Sequence, residues 1–394
     1  MEPVASYFKF NPTGAFSVDW YIGKRCNYDC SYCVDYLHDN HSPHVPLENM
    51  KRLVDVVYEE HGTNVFWSLT GGEPTVNPKF MELCKYIKEE KGARFISITT
   101  NGSRTAKYLK ELFRYLDSIT VSFHFEHMAD KVDEFIEKFI ELDDWRVAWN
   151  KEQEEKGLNH KDFKNGYTRK NLILRFMVYP EQFNNIEKME TAFRNHGITN
   201  IEHRYIRPPG GNSNELLPRT KLDFEKNNDT MDPKILLSTD DEVEIKVIET
   251  REKKFYKEGE EDKIKRIYES TVTPDKRKLK FWFQDEEKQY KDIDFHYNEL
   301  NFDKKNNYEG WLCWAGVKHL KVTPPGDIYI GSCHVGGKRG NIYDKDSIDL
   351  PLEPIRCPKW RCTDNLDLKV PKIKDWEHYH LIKDMIEWKV DKDQ

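Results

Sequence analysis

Three cysteines lie close together in one segment near the start of the chain. Residues 25–33 read Arg-Cys-Asn-Tyr-Asp-Cys-Ser-Tyr-Cys, so Cys26, Cys30 and Cys33 follow the pattern C-x3-C-x2-C. Three thiolates on one tight loop can bind three irons of a [4Fe–4S] cube and leave the fourth iron open for chemistry. Two alternatives are a set of buried structural thiols and a Cys3His zinc site completed from downstream. The candidate zinc histidines are His38, His41 and His44.

A second group of four cysteines lies in the last fifth of the chain. Its members are Cys313, Cys333, Cys357 and Cys362. Four thiolates make a closed site, which fits structural zinc or an iron–sulfur cluster. Zinc ribbons usually use two close cysteine pairs, whereas only Cys357 and Cys362 are close here. The remaining cysteine, Cys84, shares the spacing of an apolar helix face and is expected in the core.

The composition restricts the partners and the compartment. The chain has 394 residues, with 62 Lys and Arg against 69 Asp and Glu, which gives a formal charge of −7. This excludes a nucleic-acid binder driven by overall basicity. No apolar stretch approaches the ~20 residues of a membrane span, and the first residues lack the features of a signal peptide. We therefore expect a cytoplasmic protein with reduced cysteines, no nucleic-acid partner and no membrane partner.

The elements that position these residues alternate between strand and helix from about residue 16 to residue 207. The pattern predicts strands over 16–22, 64–69, 94–99, 118–125, 172–179 and 201–207, and helices over 47–60, 78–90, 104–116, 131–142 and 185–195. This alternation predicts an α/β fold with parallel strands. Each candidate functional loop follows a strand, and parallel α/β barrels build their sites at that edge.

Two polar insertions interrupt the alternation. They cover 145–170 and 208–307, and the second contains strand-like pieces at 242–248 and 279–283. We interpret the second as a linker plus an inserted segment whose fold the pattern does not specify. A fully disordered linker is the alternative. The predicted domains are therefore 1–207, 208–307 and 308–394.

Two motifs together resemble the radical S-adenosylmethionine (SAM) superfamily. Its C-x3-C-x-aromatic-C signature is matched by the three early cysteines with Tyr32 before the last of them. The second predicted strand is followed by Thr-Gly-Gly-Glu-Pro at 70–74, which resembles the Gly-Gly-Glu-Pro motif of that family. Glycines let the backbone approach a ligand closely, and proline fixes the turn.

Two further features extend the resemblance over about residues 16–207. The third strand is followed by Thr-Thr-Asn-Gly at 99–102, and the fourth contains Ser122, where the family often has a serine. The resemblance implies a partial (β/α)6 TIM-like barrel.

The resemblance also implies cofactors and roles. Cys26, Cys30 and Cys33 would ligate a [4Fe–4S] cluster whose unique iron chelates SAM. Reductive cleavage of SAM would yield a 5′-deoxyadenosyl radical that abstracts a substrate hydrogen, with an electron from a reductant such as flavodoxin or ferredoxin. Residues 71–74 would hold the amino group of SAM. The cofactor-binding residues implied in this way are Tyr32, Gly71, Gly72, Glu73, Pro74, Asn101 and Ser122.

The second cysteine group resembles the auxiliary-cluster extension called SPASM, in its one-cluster form called twitch. Trp-Ala-Gly follows Cys313, a hairpin pattern covers 320–329, and Gly-Asn-Ile follows Cys333 at 340–342. SPASM domains use more cysteines than the four available here, so the twitch form fits better. The resemblance implies a small α+β domain over 308–394 with an auxiliary [4Fe–4S] cluster. Because protein supplies every ligand, such a cluster is suited to carry an electron.

His124 is the candidate catalytic residue. Strand side chains alternate between faces, so Ser122, His124 and Glu126 share one. A neutral imidazole there can accept a substrate proton, and a structural histidine is the alternative. The family often has an aspartate at this position, from which His124 departs. Four residues on later strands could bind an anionic substrate: Arg175, His203, Tyr205 and Arg207. The alternative for each is an ordinary barrel residue.

The sequence thus predicts a radical SAM enzyme that oxidises or cross-links its substrate. We favour a small polar metabolite or sugar as substrate, because too few residues precede the predicted barrel for a folded peptide-recognition domain. One alternative is a maturase of ribosomal peptides. Another is a non-catalytic iron–sulfur or zinc protein.

Overall fold

The computed structural model describes residues 2–8, 15–33, 35–158, 169–178, 182–205, 243–246, 253–256, 278–296, 300, 305–362 and 365–386. The chain divides into two compact units. The first unit consists of 1–20, 52–66 and 272–394, and the second consists of 21–51 and 67–271. The predicted boundaries after 207 and 307 follow the chain linearly, whereas the first unit is assembled from three separate segments.

Seventeen strands lie in the described residues. They are β1 (Glu2–Phe8), β2 (Phe16–Tyr21), β3 (Val65–Thr70), β4 (Phe95–Thr100), β5 (Ser118–Phe123), β6 (Asn171–Val178), β7 (Ile201–Tyr205), β8 (Val243–Lys246), β9 (Lys253–Tyr256), β10 (Lys278–Gln284), β11 (Tyr290–His296), β12 (Leu312–Cys313), β13 (His319–Val322), β14 (Asp327–Ile330), β15 (Lys338–Asn341), β16 (Ile355–Arg356) and β17 (Lys372–Ile373).

Eight α-helices accompany them within the same residues. They are α1 (Leu47–His61), α2 (Phe80–Lys85), α3 (Ala106–Phe113), α4 (Phe125–Met128), α5 (Val132–Glu155), α6 (Phe183–Asn195), α7 (Asn365–Lys369) and α8 (Lys383–Ile386). α2 continues as a π-helical turn over Tyr86–Glu90, so the predicted helix over 78–90 is formed in two parts. Cys84 lies on α2 with no exposed surface, which confirms it as a core residue.

The second unit contains parallel strands, as predicted. The strands β3, β4, β5, β6 and β7 are neighbours in that order, and the pairs from β4 to β7 are parallel. All six residues of β5 are buried, as expected for a central strand covered on both faces. The strands β2 to β7 match the six predicted strands to within two residues at each end. The loops after β3, β4 and β5 therefore meet at one edge of the sheet.

The predicted polar insertion over 145–170 is wrong in its first part. Helix α5 continues to Glu155 and does not end near 142. Trp145 packs against Phe113 at 5.8 Å between ring centroids, which gives the helix an apolar contact past its predicted end. Asn150 then exchanges two hydrogen bonds with the backbone of Lys170, at 3.0 and 2.9 Å. Residues 159–168 of the predicted insertion lie outside the described residues.

The first unit contains a six-stranded sheet in the order β11-β10-β1-β17-β12-β16. The sequence analysis assigned no strand to residues 2–8, yet β1 lies inside this sheet and pairs antiparallel with both β10 and β17. In its centre Ala5 is opposite Trp282 on one side and Ile373 on the other. Residues 2–8 therefore belong structurally with segments from the last part of the chain.

Two smaller strand groups complete the described residues. The hairpin predicted over 320–329 is formed by β13 and β14, and β13 also pairs parallel with β2. β8 and β9 form an antiparallel pair, which places a strand within the predicted piece at 242–248. The other residues of 206–277 lie outside the described part of the chain. None of the described helices has the length and apolar character needed to cross a bilayer.

Ala5→Asp is predicted to destabilise the first unit. Ala5 has no exposed surface, so the new carboxylate would be buried without a partner, at a cost of about 3 kcal/mol or more. The midpoint of urea unfolding should fall accordingly. Glu2→Ala, on the same strand, removes only an exposed ion pair with Lys374 and serves as control. Equal midpoints for the two variants would contradict a central position for β1.

Candidate functional site

The loop that follows β2 carries the first three cysteines, all as free thiols. Its backbone is closed by hydrogen bonds from Cys26 N to Asp39 O at 2.7 Å and from Cys33 N to Cys30 O at 3.0 Å. Burial raises the pKa of Cys26 to about 11 and that of Cys30 to about 12. These thiols are protonated at neutral pH until a ligand replaces the protons. The loop is therefore suited to ligate a metal or cluster with release of protons.

The glycine loop after β3 lies directly against the backbone that precedes Cys26. Gly72 N donates to Gly23 O at 3.2 Å, and Glu73 N donates to Arg25 O at 2.9 Å. A Cβ on Gly72 would lie 2.1 Å from the carbonyl oxygen of Lys24, closer than any real side-chain contact. Glycine is required here because the loop packs this tightly on the chain's own backbone. The sequence analysis predicted a close approach of this motif to a ligand; the close approach in the structure is to the chain's own backbone, and it positions the cysteine loop.

Glu73 fastens two loops together. Its side chain is only 2% exposed, and burial raises its pKa. Oε1 accepts from Thr75 N at 3.0 Å, from Thr75 Oγ1 at 2.5 Å and from Thr100 Oγ1 at 2.7 Å. Oε2 accepts from Asn101 N at 2.6 Å. The carboxylate therefore joins the Gly-Gly-Glu-Pro loop to the Thr-Asn-Gly loop at the end of β4.

Asn101 extends this connection to the cysteines. Its Nδ2 donates to Oδ1 of Asn27 at 2.9 Å, and Asn27 lies between the first two cysteines of the segment. Its own Oδ1 accepts from Ser103 N at 3.0 Å, which fixes the orientation of the amide. Three loops that are distant in sequence are therefore joined by hydrogen bonds around Cys26.

His124 contacts the cysteine loop from the end of β5. Its Nδ1 lies 2.6 Å from the hydroxyl of Tyr32 and 3.4 Å from Sγ of Cys30. Burial lowers the pKa of His124 to about 4, so the imidazole is neutral at physiological pH. The structure thus brings together His124 and Tyr32, both predicted for the site. Proton acceptance from a substrate stays a prediction for His124.

Two residues that follow His124 also hold the cysteine loop. Glu126 accepts from the backbone N of Ser31 at 2.8 Å and from the Ser31 hydroxyl. His127 Nε2 accepts from Asp29 N at 3.2 Å. The sequence analysis gave neither residue a role, and only their position directly after a site-bearing strand indicated one. The short helix α4 thereby binds the middle of the cysteine loop, at Asp29 and Ser31, whereas the glycine motif contacts the backbone before Cys26.

The other predicted groups lie apart from these contacts. Ser122 is buried on β5 opposite Arg175 of β6, and no hydrogen bond between described residues joins its side chain to the cysteine loop. Arg175 forms an ion pair with Glu202 at 2.9 Å, which fits its interpretation as an ordinary barrel residue. The side chains of His203 and Tyr205, and all of Arg207, lie outside the described part of the chain.

Two histidines of the zinc alternative face carboxylates. His38 Nε2 lies 3.5 Å from Asp29 Oδ1, and His41 Nε2 lies 3.8 Å from Asp39 Oδ2. The described group whose ligand atoms all lie within 4.8 Å of one another is instead Cys30 with Glu126 and His127. The potential metal ligands grouped with Cys30 are therefore residues of α4 and not the downstream histidines.

The second cysteine group gathers within the first unit. Cys313 lies on β12, Cys333 follows β14, and Cys357 and Cys362 follow β16. All four pack in or against one apolar core cluster. Their thiols also influence one another electrostatically, since Cys357 raises the pKa of Cys313 and Cys313 raises the pKa of Cys333, in both cases after the larger effect of burial. The fold thus collects four thiols that are widely spaced in sequence.

A buried lysine lies beside these thiols. Lys372 is 1% exposed, and its Nζ donates to Val370 O at 2.8 Å and to Asp367 O. Burial lowers its pKa, but the electrostatic effects of Cys313, Cys362, Tyr308 and Asp367 together outweigh burial and raise the pKa overall. A lysine in a charged segment normally predicts a solvated side chain, so only the fold reveals this role.

Asp367 shapes the turn that carries Cys333. Its carboxylate accepts from the backbone N of Ser332 at 2.9 Å and of Cys333 at 2.6 Å. Asp367 is 1% exposed, and the sequence analysis did not identify it. The buried carboxylate fixes the backbone of one cysteine, while the ammonium of Lys372 lies near two others.

Gly72→Ala is predicted to displace the cysteine loop. The new methyl would collide with backbone, which cannot rotate away, so we expect a loss of more than about 3 kcal/mol and less iron bound to this loop. Gly92→Ala is the control, because nothing lies within 4 Å and only its positive φ of +66° is strained. Iron content after anaerobic reconstitution and thermal melts test both. Full iron in Gly72→Ala would contradict the positioning role.

Sequence comparisons identify one matching family and several partial relatives. Residues 20–156 match the model of the Radical SAM superfamily. The mitochondrial GTP 3′,8-cyclase of Arabidopsis thaliana is 35% identical over 104 residues, which cover 26% of this chain and 26% of the relative. Molybdenum cofactor biosynthesis protein 1 of Bos taurus is 30% identical over 135 residues, or 31% of this chain and 21% of the relative. The chain spans about a quarter of the length of the curated relatives it matches.

Solved structures give weaker likenesses. anSMEcpe with bound AdoMet is 14% identical at a TM-score of 0.42, over 83% of this chain and 78% of that chain. Streptococcus suis SuiB bound to precursor peptide SuiA is 15% identical at a TM-score of 0.40, over 86% and 66%. At these scores the two likenesses carry no argument. Residues 20–156 thus match the Radical SAM superfamily, a superfamily of enzymes whose cofactors are a [4Fe–4S] cluster and SAM, and the motifs that carry the predicted resemblance lie within this segment.

Proposed function

We propose that the chain is a radical SAM enzyme in which Cys26, Cys30 and Cys33 hold the cluster. The observation that carries this proposal is the joining of three loops around these cysteines, through Gly72 against the preceding backbone and through Glu73 and Asn101. The thiols fit the cluster, because they are free and lie on one closed loop. When bound, the cluster supplies the electron that cleaves SAM reductively to a radical able to abstract a substrate hydrogen.

The chain's own residues fix and shield this site. Glu73 accepts hydrogen bonds from Thr75, Thr100 and Asn101, so it orders the loop that would hold SAM and is not itself free to bind the amino group. The neutral His124 holds Tyr32 beside Cys30. Proton acceptance by His124 would require it to exchange the Tyr32 hydroxyl for a substrate group.

We further propose that Cys313, Cys333, Cys357 and Cys362 bind an auxiliary [4Fe–4S] cluster in a twitch-like domain. A cluster with four thiolate ligands carries net negative charge, and burying that charge requires compensation. The buried ammonium of Lys372, next to Cys313 and Cys362, supplies it. A buried ammonium beside these thiols supports a bound metal centre with thiolate ligands over four neutral structural thiols, and the auxiliary cluster is the centre that we favour over structural zinc.

The favoured reaction is oxidation of a small polar metabolite or sugar. A cluster with all four ligands from protein is suited to accept the electron that a substrate radical gives up. Relatives named GTP 3′,8-cyclase have a small polar metabolite, GTP, in their name. A ribosomal peptide is the second candidate substrate, and a flavodoxin or ferredoxin in the cytoplasm is the proposed reductant.

The reduced protein should cleave SAM to 5′-deoxyadenosine and methionine, and it should bind about eight irons if two clusters form. The triple variant Cys26→Ala/Cys30→Ala/Cys33→Ala should lose about half of the iron and all cleavage. Cys84→Ala is the control, since this buried thiol is no predicted ligand and should leave both readouts unchanged. Chromatography of the nucleoside products and metal analysis measure the outcome.

Two results would overturn parts of this proposal. Full iron content without 5′-deoxyadenosine above a chemical blank would favour a non-catalytic iron–sulfur protein. Stoichiometric zinc together with about four irons would replace the auxiliary cluster by structural zinc.

Lys372→Met should lower the reduction potential of the auxiliary cluster. Removing a buried positive charge makes the added electron less stable, by on the order of 100 mV at an effective dielectric constant of about 20. Potentiometric titration by electron paramagnetic resonance, in the triple cysteine variant, measures this cluster alone. Lys374→Met is the matched control two residues away, because its side chain is 45% exposed. An unchanged potential in a folded, cluster-loaded Lys372→Met protein would contradict the charge-compensating role.

A further inference from the structure

A tryptophan lies exposed between two of the second-group cysteines. Trp360 is 66% exposed, although Cys357 and Cys362 on either side of it are buried at 7% and 8%. A tryptophan exposed to this extent is available to contact a partner, and aromatic residues are enriched in protein interfaces. Because the loop is only four residues long between the cysteines, any molecule bound on Trp360 lies next to the thiol site.

The surroundings of Trp360 are positively charged. Arg356 and Lys359 are both exposed, and each donates to a backbone carbonyl, Arg356 to Gly310 at 2.8 Å and Lys359 to Cys333 at 2.6 Å. Within residues 305–362 and 365–386, neither cation is ion-paired with a carboxylate. Carbonyl contacts orient the two side chains without neutralising them, so the positive field reaches the solvent.

This charge contrasts with the chain as a whole. The formal net charge is −7, so these exposed cations have the sign opposite to that of the whole chain, and they attract a protein with an acidic face. The bond from Lys359 to the carbonyl of Cys333 also ties the cationic surface to a third cysteine of the group. Exposed aromatic area, uncompensated charge and the cysteine backbone therefore coincide at one place, the Trp360 surface, formed by Arg356, Lys359 and Trp360.

We propose that the Trp360 surface docks an acidic one-electron carrier protein that oxidises the auxiliary cluster. This inference rests on the proposed function. A substrate radical that becomes a closed-shell oxidised product loses one electron and one proton, and the electron must leave the chain before the next turnover. The carrier accepts that one electron on its oxidised cofactor, while the proton goes to solvent or a base. A carrier docked on Trp360 binds next to three of the four ligand cysteines.

The experiment follows electron transfer from the fully loaded, reduced protein to an acidic flavodoxin in its oxidised form. Formation of the flavodoxin semiquinone is recorded by stopped flow at several salt concentrations. Benzoquinone, a small neutral oxidant, is used in a parallel series because it needs no charged docking surface. The variants are Arg356→Glu/Lys359→Glu and Trp360→Ala. The matched control is Lys107→Glu/Lys151→Glu, which reverses two exposed lysines of the second unit.

We expect the Arg356→Glu/Lys359→Glu protein to reduce flavodoxin about tenfold more slowly at low salt, with a flattened salt dependence. Trp360→Ala should also slow this transfer, while the lysine control and all rates with benzoquinone stay unchanged. Unchanged rates with flavodoxin overturn the inference. Equal slowing with both oxidants also overturns it, because these residues would then act on the cluster and not on docking.

The same samples separate this inference from the proposed function. Paramagnetic resonance of the wild-type protein shows first whether the auxiliary cluster is present. Absence of its signal overturns the proposed cluster, and the docking inference with it. With the signal present and abolished by Cys357→Ala, the flavodoxin series tests the docking surface alone.

Discussion

The first cysteine site depends on one buried carboxylate. A carboxylate that is 2% exposed is stable only where donors surround it, and Glu73 has four of them, from Thr75, Thr100 and Asn101. These bonds hold the loops after β3 and β4 together. Gly72 is pressed between them and the backbone before Cys26, so the position of the cysteines follows from the position of the carboxylate. Substituting Glu73 therefore acts on the whole loop assembly and not on one ligand contact.

The two thiol sites use the protein interior differently. At the first site burial raises the pKa of Cys26 and Cys30, so ligation there must release protons and is favoured by higher pH. At the second site burial likewise raises the pKa of Cys362, to about 12, but the buried Lys372 opposes this by stabilising the thiolate. Under the proposed function, the buried cation would help to stabilise a centre with four thiolate ligands, whereas the three-cysteine site would keep one position open for SAM.

Local patterns predicted the parts of the molecule that depend on neighbouring residues. Strands β2 to β7, the hairpin of β13 and β14, and the core position of Cys84 follow from apolar periodicity and turn residues. The three-loop assembly was anticipated because parallel strands end at one edge. The hydrogen bonds within this assembly were not predicted, because the partners of Glu73 and Asn101 depend on side-chain geometry between loops far apart in sequence.

The features that were missed depend on contacts with distant segments. β1 has no alternating pattern strong enough to declare a strand, and its pairing with β10 and β17 comes from the other end of the chain. The second part of α5 is polar in composition, and single contacts such as Trp145 on Phe113 extend the helix. Lys372 and Asp367 read as solvated charges in sequence and are buried only because the fold surrounds them with thiols and amides.

Under the proposed function, charge sets the direction of electron flow at the second site. Lys372 stabilises the added electron, so it promotes acceptance from a substrate radical and by the same amount opposes release. Release must then be driven from outside, by an acceptor of higher potential held close to the cysteines. A cationic surface on an otherwise acidic chain raises the local concentration of an acidic acceptor without altering the buried charge. Lys372 therefore affects the reduction potential of the cluster, whereas Arg356 and Lys359 affect the rate at which the acceptor binds.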